Sequence, residues 1–359
     1  MGLLNYFRKI LTIEDSYPKN TRPNNPNKDL YEIKKFWNTH KISYPPRMPD
    51  ATIHEYYMYA KTLMLWWYSK GAELKYEFPT YITEGCNISN PVQFQDNLIK
   101  EKYIQPASLL SILQAYKMDE LRILADSIGC VKKRKKDDLV NEIYKSLDND
   151  STQMLLSHSN TYELSEKGEL FLQGNYDYVK LHKHSSYRIS LYEFNQNRFI
   201  GNRKRTFEDT AFQIISTRVY NNCLNGYYQT MAYDFLSEYK VALDRNLDSV
   251  ALEAYLKMIY IKTCCIDHVS CDYVSEYTLK YAFENYPFTI RMVLPITKMA
   301  NWYNPMYIEN IYSDSLLPPS LMPISIFKNM ISEIIDSITF DFQKYNNYLR
   351  NRLEDYCSK

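Results

Sequence analysis

The chain has 359 residues, enough for two or three domains that each bury a core. Its 43 Lys and Arg balance 42 Asp and Glu to a net charge of +1, which excludes a polycation that holds nucleic acid by bulk charge and leaves such affinity to a local patch. With only 8 glycines against 35 tyrosines it reads as a helix-rich body with aromatic packing, and its 7 scattered cysteines, without a CxxC framework, read as reduced thiols.

Leu3, Leu4, Phe7, Ile10 and Leu11 recur at helical spacing and predict a short amphipathic helix that docks on its own domain, on a partner or on a membrane surface. The segment has no small-residue cleavage site, and Tyr6 breaks the myristoylation pattern. No run of 18 apolar residues occurs, so a cytoplasmic chain without a membrane partner is expected. Residues 15–28, rich in Pro and Asn, read as a linker, and residues 29–38 as a helix ended by Pro45, Pro46 and Pro49.

Thr52 with Glu55 forms a capping-box signature before a long helix over residues 53–70, where Trp66 and Trp67 are expected in the core. Asn90 followed by Pro91 opens another helix, with Phe94 and Leu98 on one face, running to about Lys102. Alternation at residues 176–182 and 189–194 predicts two strands. Helices are expected over 207–223, 227–243, 249–266 and 273–284, and a last one from Ile324 to about Tyr356.

Between these lies the most informative stretch. Met118, Leu121 and Leu124 place apolar side chains on one face of a short helix, Gly129 marks a turn, and Leu139, Val140 and Ile143 form one face of a second helix. The extension that joins them holds five successive cations, Lys132, Lys133, Arg134, Lys135 and Lys136. Residues 116–147 resemble the SAP domain, a helix–extension–helix module of chromatin, repair and phage-associated DNA-binding proteins. The resemblance implies that the extension and the start of the second helix contact the backbone of duplex DNA, often AT-rich, with Lys135 and Lys136 at the positions of the family's lysine pair. Cys130 stands where the family prefers leucine and Arg134 where it usually has glycine, a position that a left-handed backbone would strain. Asp137 and Asp138 suit a helix N-terminus and also fit a merely solvated, well-capped helix.

A second resemblance frames the first. Residues 94–104 look like the recognition helix and first wing strand of a winged-helix fold, and residues 162–172, beginning Tyr162-Glu-Leu-Ser-Glu-Lys-Gly168, look like its return strand and closing helix. Phage and mobile-element proteins of low-GC bacteria carry a similar order. The fold class expected is therefore mainly α with a small α+β part: residues 1–28 an amphipathic helix and linker, 29–200 a winged-helix-like domain with the SAP-like module in its wing, and 201–359 an all-α domain. Arg203, Lys204 and Arg205 form a smaller cluster that either extends a phosphate track or lies in a solvated linker.

No GxGxxG, GxxxxGKS or GxSxG pattern occurs, and Glu238-Tyr-Lys240 lacks the upstream strand carboxylate of metal-dependent nucleases, so no enzyme and no cofactor are expected. Cys264, His268 and Cys271 share one face of a predicted helix but lack a fourth ligand, and His182 and His184 would share one side of a strand. The sequence thus points to a DNA-binding accessory protein of phage or mobile-element type that contacts double-stranded DNA. The alternative is an interaction or assembly module in which the helices after residue 205 recruit a protein partner or self-associate.

Overall fold

The computed structural model describes residues 26–40, 44–74, 77–265, 290–336 and 340–358. The amphipathic segment at 3–11, most of the 15–28 linker, His268, Cys271 and the helix expected at 273–284 lie outside the described residues. The described chain is mainly helical with short strands, and it divides into two compact units, Met48–Thr210 and the residues up to Arg47 together with those from Ala211 on.

Helix α1 (Pro26–Thr39) belongs to the second of these units. Leu30, Ile33 and Trp37 recur along one face and are buried in a core with Tyr228, Phe235 and Tyr255. The sequence-based division assigned residues 29–47 to the middle domain, and the structure instead packs α1 with the C-terminal helices. An apolar stripe dictates that a face is covered but not what covers it.

The unit Met48–Thr210 is organised by α2 (Ile53–Tyr68). The Thr52–Glu55 box closes as its spacing predicts: Thr52 Oγ1 accepts from the Glu55 amide at 3.2 Å and the Glu55 carboxylate accepts from the Thr52 amide at 2.7 Å. From Ala60 to Leu65 every residue is buried, so the helix runs through the core rather than over it. Strand β1 (Ala72–Glu73), the short α3 (Thr80–Thr83) and α4 (Pro91–Lys100) follow. In α4 Asn90 Oδ1 accepts from Gln93 at 3.0 Å and Pro91 takes the first helical position.

Strand β2 (Ile104–Pro106) is separated from its partner β3 (Thr161–Leu164) by four helices: α5 (Leu109–Ala115), α6 (Met118–Ser127), α7 (Lys136–Ser146) and α8 (Asn149–His158). The three strands form one antiparallel sheet in the order β1-β3-β2, with Ala72 opposite Tyr162 and Ile104 opposite Leu164. Helix α9 (Glu166–Asn175) then closes over the joint.

The segment Ser165-Glu-Lys-Gly168 explains that joint. Ser165 caps α9 by accepting from the Gly168 amide at 3.1 Å, and its own amide donates to the Tyr103 carbonyl at 3.1 Å. A Cβ on Gly168 would stand 2.1 Å from that same carbonyl oxygen, so only glycine allows the approach.

The strands expected at 176–182 and 189–194 are helices, α10 (Asp177–Lys183) and α11 (Leu191–Asn197). In α10 Tyr178, Val179 and Leu181 are buried, a helical face that short windows of alternating residues also match. In α11 the Ser190–Glu193 capping box decides the outcome. A separate hairpin, β4 (Phe199–Ile200) with β5 (Arg203–Lys204), ends the region.

Three helices continue the chain: α12 (Phe207–Leu224), α13 (Tyr228–Asp244) and α14 (Asp248–Thr263). They fall close to the predicted spans. Helix α14 is buried almost all round, from Ala251 and Leu252 to Ile261, which makes it the axis of its unit. Helices α15 (Ile290–Lys298), α16 (Met306–Ser313), α17 (Ile324–Asp336) and α18 (Phe342–Ser358) complete that core. Two helices, α17 and α18, stand where one was expected.

Candidate functional site

Three of the four helices between β2 and β3, α5, α6 and α7, bury a small core of their own: Leu113, Leu121, Ala125, Leu139, Val140 and Ile143. Helix α6 starts where the Glu120 carboxylate accepts from the Lys117 amide at 2.6 Å and ends at the Gly129 turn, where the Cys130 amide donates to Ala125 O at 2.8 Å. Cys130 packs half-buried against this core, filling the apolar position its sequence neighbours require. Arg134 is not among the residues with positive φ, so its side chain costs no backbone strain there.

The extension from Cys130 to Lys135 carries the cations on a short path back to α7. Three of the five are engaged. Lys132 Nζ pairs with Asp126 at 2.7 Å, Lys133 Nζ with Glu142 at 3.6 Å, and Lys136 Nζ donates to the Gln114 carbonyl at 2.6 Å. Arg134 and Lys135 are exposed and make no hydrogen bond or ion pair among the described residues. Lys135 is also the N-cap of α7, and its side chain satisfies none of the first-turn amides. Those amides and two unengaged cations therefore face water together, the arrangement that attracts an anion. Asp137 and Asp138 lie in the same first turn and limit the local charge.

The second cluster is placed differently. Lys204 Nζ is held by Asp177 at 2.8 Å and by the Gly174 carbonyl at 2.9 Å, and Arg205 donates to Asn197 O at 2.9 Å. Both cations staple the β4–β5 hairpin to α9, α10 and α11. Arg203 alone is exposed and unengaged among the described residues. No hydrogen bond or ion pair joins this cluster to the extension at 132–136.

Other residues singled out in the sequence are absorbed by packing. His182 lies on α10 with its ring 4.6 Å from Tyr81 and 6.1 Å from Trp66, while His184 stacks on Tyr187 at 4.9 Å, so the two do not converge on a metal. Cys264 is buried, its thiol directed to the Tyr260 and Pro318 carbonyls. Glu238 sits on α13 with Lys240 two residues on, and that spacing sends the two side chains to different faces of a helix. Among the described residues no group of three His, Cys, Asp or Glu side chains could hold a metal ion, and no helix is long and apolar enough to cross a membrane. An open cleft of about 490 Å³ beside α9 offers Glu169 and Ser69 but no histidine or cysteine to activate either.

Burial holds the His182 imidazole below its ordinary value. Unfolded histidine takes up a proton first as pH falls, so folded stability declines on acidification from about 6.5, the ordinary histidine value, down to the lower folded value. Proton NMR titration is expected to give His182 a midpoint below that of the unfolded chain; an equal or higher midpoint would contradict the burial.

Sequence reasoning missed the Lys61 cluster inside the same unit. Lys61 is 4% exposed, with its ammonium 3.5 Å from the Tyr103 ring centre and 3.3 Å from Glu101. A buried lysine leaves no periodic signal, since it interrupts an apolar face rather than extending it. Its role is structural, tying α2 to the end of α4.

No protein-family model matches this chain, and comparison with curated proteins and with solved structures finds no match.

Proposed function

We propose that the chain is a DNA-binding accessory protein that holds duplex phosphates through the extension between α6 and α7, with Arg134 and Lys135 as its principal contacts. The observation that carries this reading is their free exposure at the start of α7, on a module whose own core fixes the extension in place. Phosphate oxygens can accept from the guanidinium, the ammonium and the open helix amides at once. Lys132 and Lys133 are held only by surface ion pairs, worth roughly 0–1 kcal/mol, and can exchange a carboxylate for a phosphate. Lys136 serves differently, since its bond to Gln114 O ties the extension to α5. The resemblance of residues 116–147 to the SAP domain, framed by the winged-helix-like segments, supports this reading, and we extend it to a protein of phage or mobile-element type.

The test is duplex affinity against salt for the wild type and Arg134→Ala/Lys135→Ala. Each phosphate contact adds about 0.9 to the slope of log affinity against log salt, so the double variant is expected to lower that slope by about 2, equally for AT-rich and mixed duplexes. An unchanged slope would remove these residues from the interface.

A second reading, assembly through the C-terminal helices, has one observation in its favour: Tyr220 and Leu224 lie four apart on α12, 52% and 57% exposed. Light scattering on the full chain checks it, with a monomer mass at high micromolar concentration counting against self-association. A fragment starting at residue 206 is the wrong material, because it lacks the buried side chains of α1.

A further inference from the structure

The β4–β5 hairpin exposes two large apolar side chains where a folded protein usually hides them. Phe199 is 49% and Ile200 52% exposed. The strands pair Phe199 with Lys204 and Ile200 with Arg203, and directly opposed residues of an antiparallel pair project to the same face. Lys204 is drawn to Asp177 and to the Gly174 carbonyl, so the Phe199–Lys204 face is the anchored one. Ile200 and Arg203 therefore share the other face, an apolar side chain beside an unengaged guanidinium. Gly201, with φ +54°, turns the chain at the tip and adds no side chain to its width.

The base of the hairpin is rigid. The Arg205 amide donates to Arg198 O at 2.8 Å and extends the ladder by one bond. Arg198 is 8% exposed and forms no ion pair among the described residues; its guanidinium lies 4.7 Å from the Tyr178 ring centre and 5.3 Å from that of Phe199. A buried cation spent on holding a half-exposed ring fixes where that ring points. From Asn195 to Arg205 the chain has four cations and no carboxylate; Arg198 is buried and Lys204 is paired with Asp177, which leaves Arg203 and the half-buried Arg205 to face a polyanion.

We propose that this hairpin is a second DNA element, resting on the reading of the extension as a duplex-binding site, and that it wedges Ile200 into the minor groove with Arg203 on a flanking phosphate, while Phe199, held by Arg198, keeps the ribbon in place. A single apolar side chain beside a glycine-containing tip can enter a groove about 6 Å wide, whereas the whole ribbon would need the roughly 12 Å major groove. Inserted apolar side chains unstack a base step and kink the duplex. Arg198 is a positioning residue here, acting through Phe199.

The experiment measures the end-to-end distance of a doubly labelled 30-base-pair duplex by energy transfer, with full-length wild type, Phe199→Ser/Ile200→Ser and Arg134→Ala/Lys135→Ala. Both replaced side chains are about half exposed, so the fold is expected to survive, and an unchanged circular dichroism melt is the check on this. Wild type is expected to shorten the distance. The wedge variant is expected to bind roughly tenfold more weakly, with the duplex straight and the salt slope unchanged, because the lost contact is apolar. Wild-type binding that leaves the duplex straight, or bending that survives the wedge substitutions, overturns the hairpin proposal alone. Absence of any duplex binding by wild type sinks the reading of the extension and the hairpin with it. Sedimentation with phosphatidylserine vesicles that needs Phe199 and Ile200, without duplex bending, overturns the proposal in favour of a membrane contact.

Discussion

Gly168→Ala is expected to destabilise the unit Met48–Thr210 by about 2–4 kcal/mol, lowering its melting temperature by roughly 5–15 °C. Alanine improves helix propensity by about 1 kcal/mol, so propensity alone predicts the opposite sign. Sterics decide it. The added Cβ would lie 2.1 Å from Tyr103 O and 3.1 Å from its carbonyl carbon, and both belong to backbone that cannot rotate away. Relief requires α9 to move off the end of β2, which breaks the Ser165 amide bond to Tyr103 O and the Ser165 hydroxyl bond to Lys102 O, now 3.1 and 2.6 Å. Each is worth about 1 kcal/mol. Gly174→Ala on the same helix is the control, since nothing lies within 4 Å of its Cβ position. That variant is expected to be neutral or stabilising by up to about 1 kcal/mol. Equal melting temperatures for the two would refute the close approach.

Leu139→Ala is expected to melt the module between β2 and β3 while leaving its host folded. A fully buried leucine truncated to alanine costs about 2–5 kcal/mol. Of the buried core that Leu139 belongs to, Leu113, Leu121, Ala125, Val140 and Ile143 remain, and cores of that size rarely supply more than about 3–5 kcal/mol. The loss therefore approaches the whole local stability. The host core of Leu63, Met64, Tyr68, Ile104 and Val179 contains none of these residues. Hydrogen exchange should show amides of α6 and α7 losing protection while those of α2 keep it. Duplex affinity should fall with the module, since Arg134 and Lys135 lose their fixed spacing. Uniform loss of protection across the unit would mean that module and host fold as one.

What the sequence discloses follows the length and locality of each signal. The Thr52–Glu55 box and the Asn90–Pro91 start are contacts within three residues, and both form as read. Helices α12, α13 and α14 are long enough for their apolar faces to outlast local ambiguity. The strands are two to four residues long, too short for alternation to declare itself, and their pairing across residues 107–160 is set by the fold. Phe199-Ile-Gly-Asn-Arg-Lys204 did carry a usable mark, a Gly-Asn turn between two apolar and two basic residues. Ser190 with Glu193 is a second such mark, which competes with an alternating pattern over the same residues.

At the candidate site, sequence located the basic run, but it could not say that Lys132, Lys133 and Lys136 are already engaged and that Arg134 and Lys135 are not. That depends on where Asp126, Glu142 and Gln114 arrive once α5, α6 and α7 have packed. The expected strain at Arg134 likewise vanishes for a reason visible only in the backbone.

The module's two ends leave the host on neighbouring strands, with Pro106 directly opposite Tyr162. To the host, everything between them is one hairpin loop whose ends are already closed. Closing a loop costs only about 0.6 kcal/mol more for each doubling of its length, so the host tolerates this cargo at almost any size. The same closure works on the module from the other side, because its unfolded chain is tethered at both ends and has less freedom to lose on folding. Such a seat favours exchange: a module with different surface chemistry, or a bare turn, can occupy it without redesign of the sheet beneath.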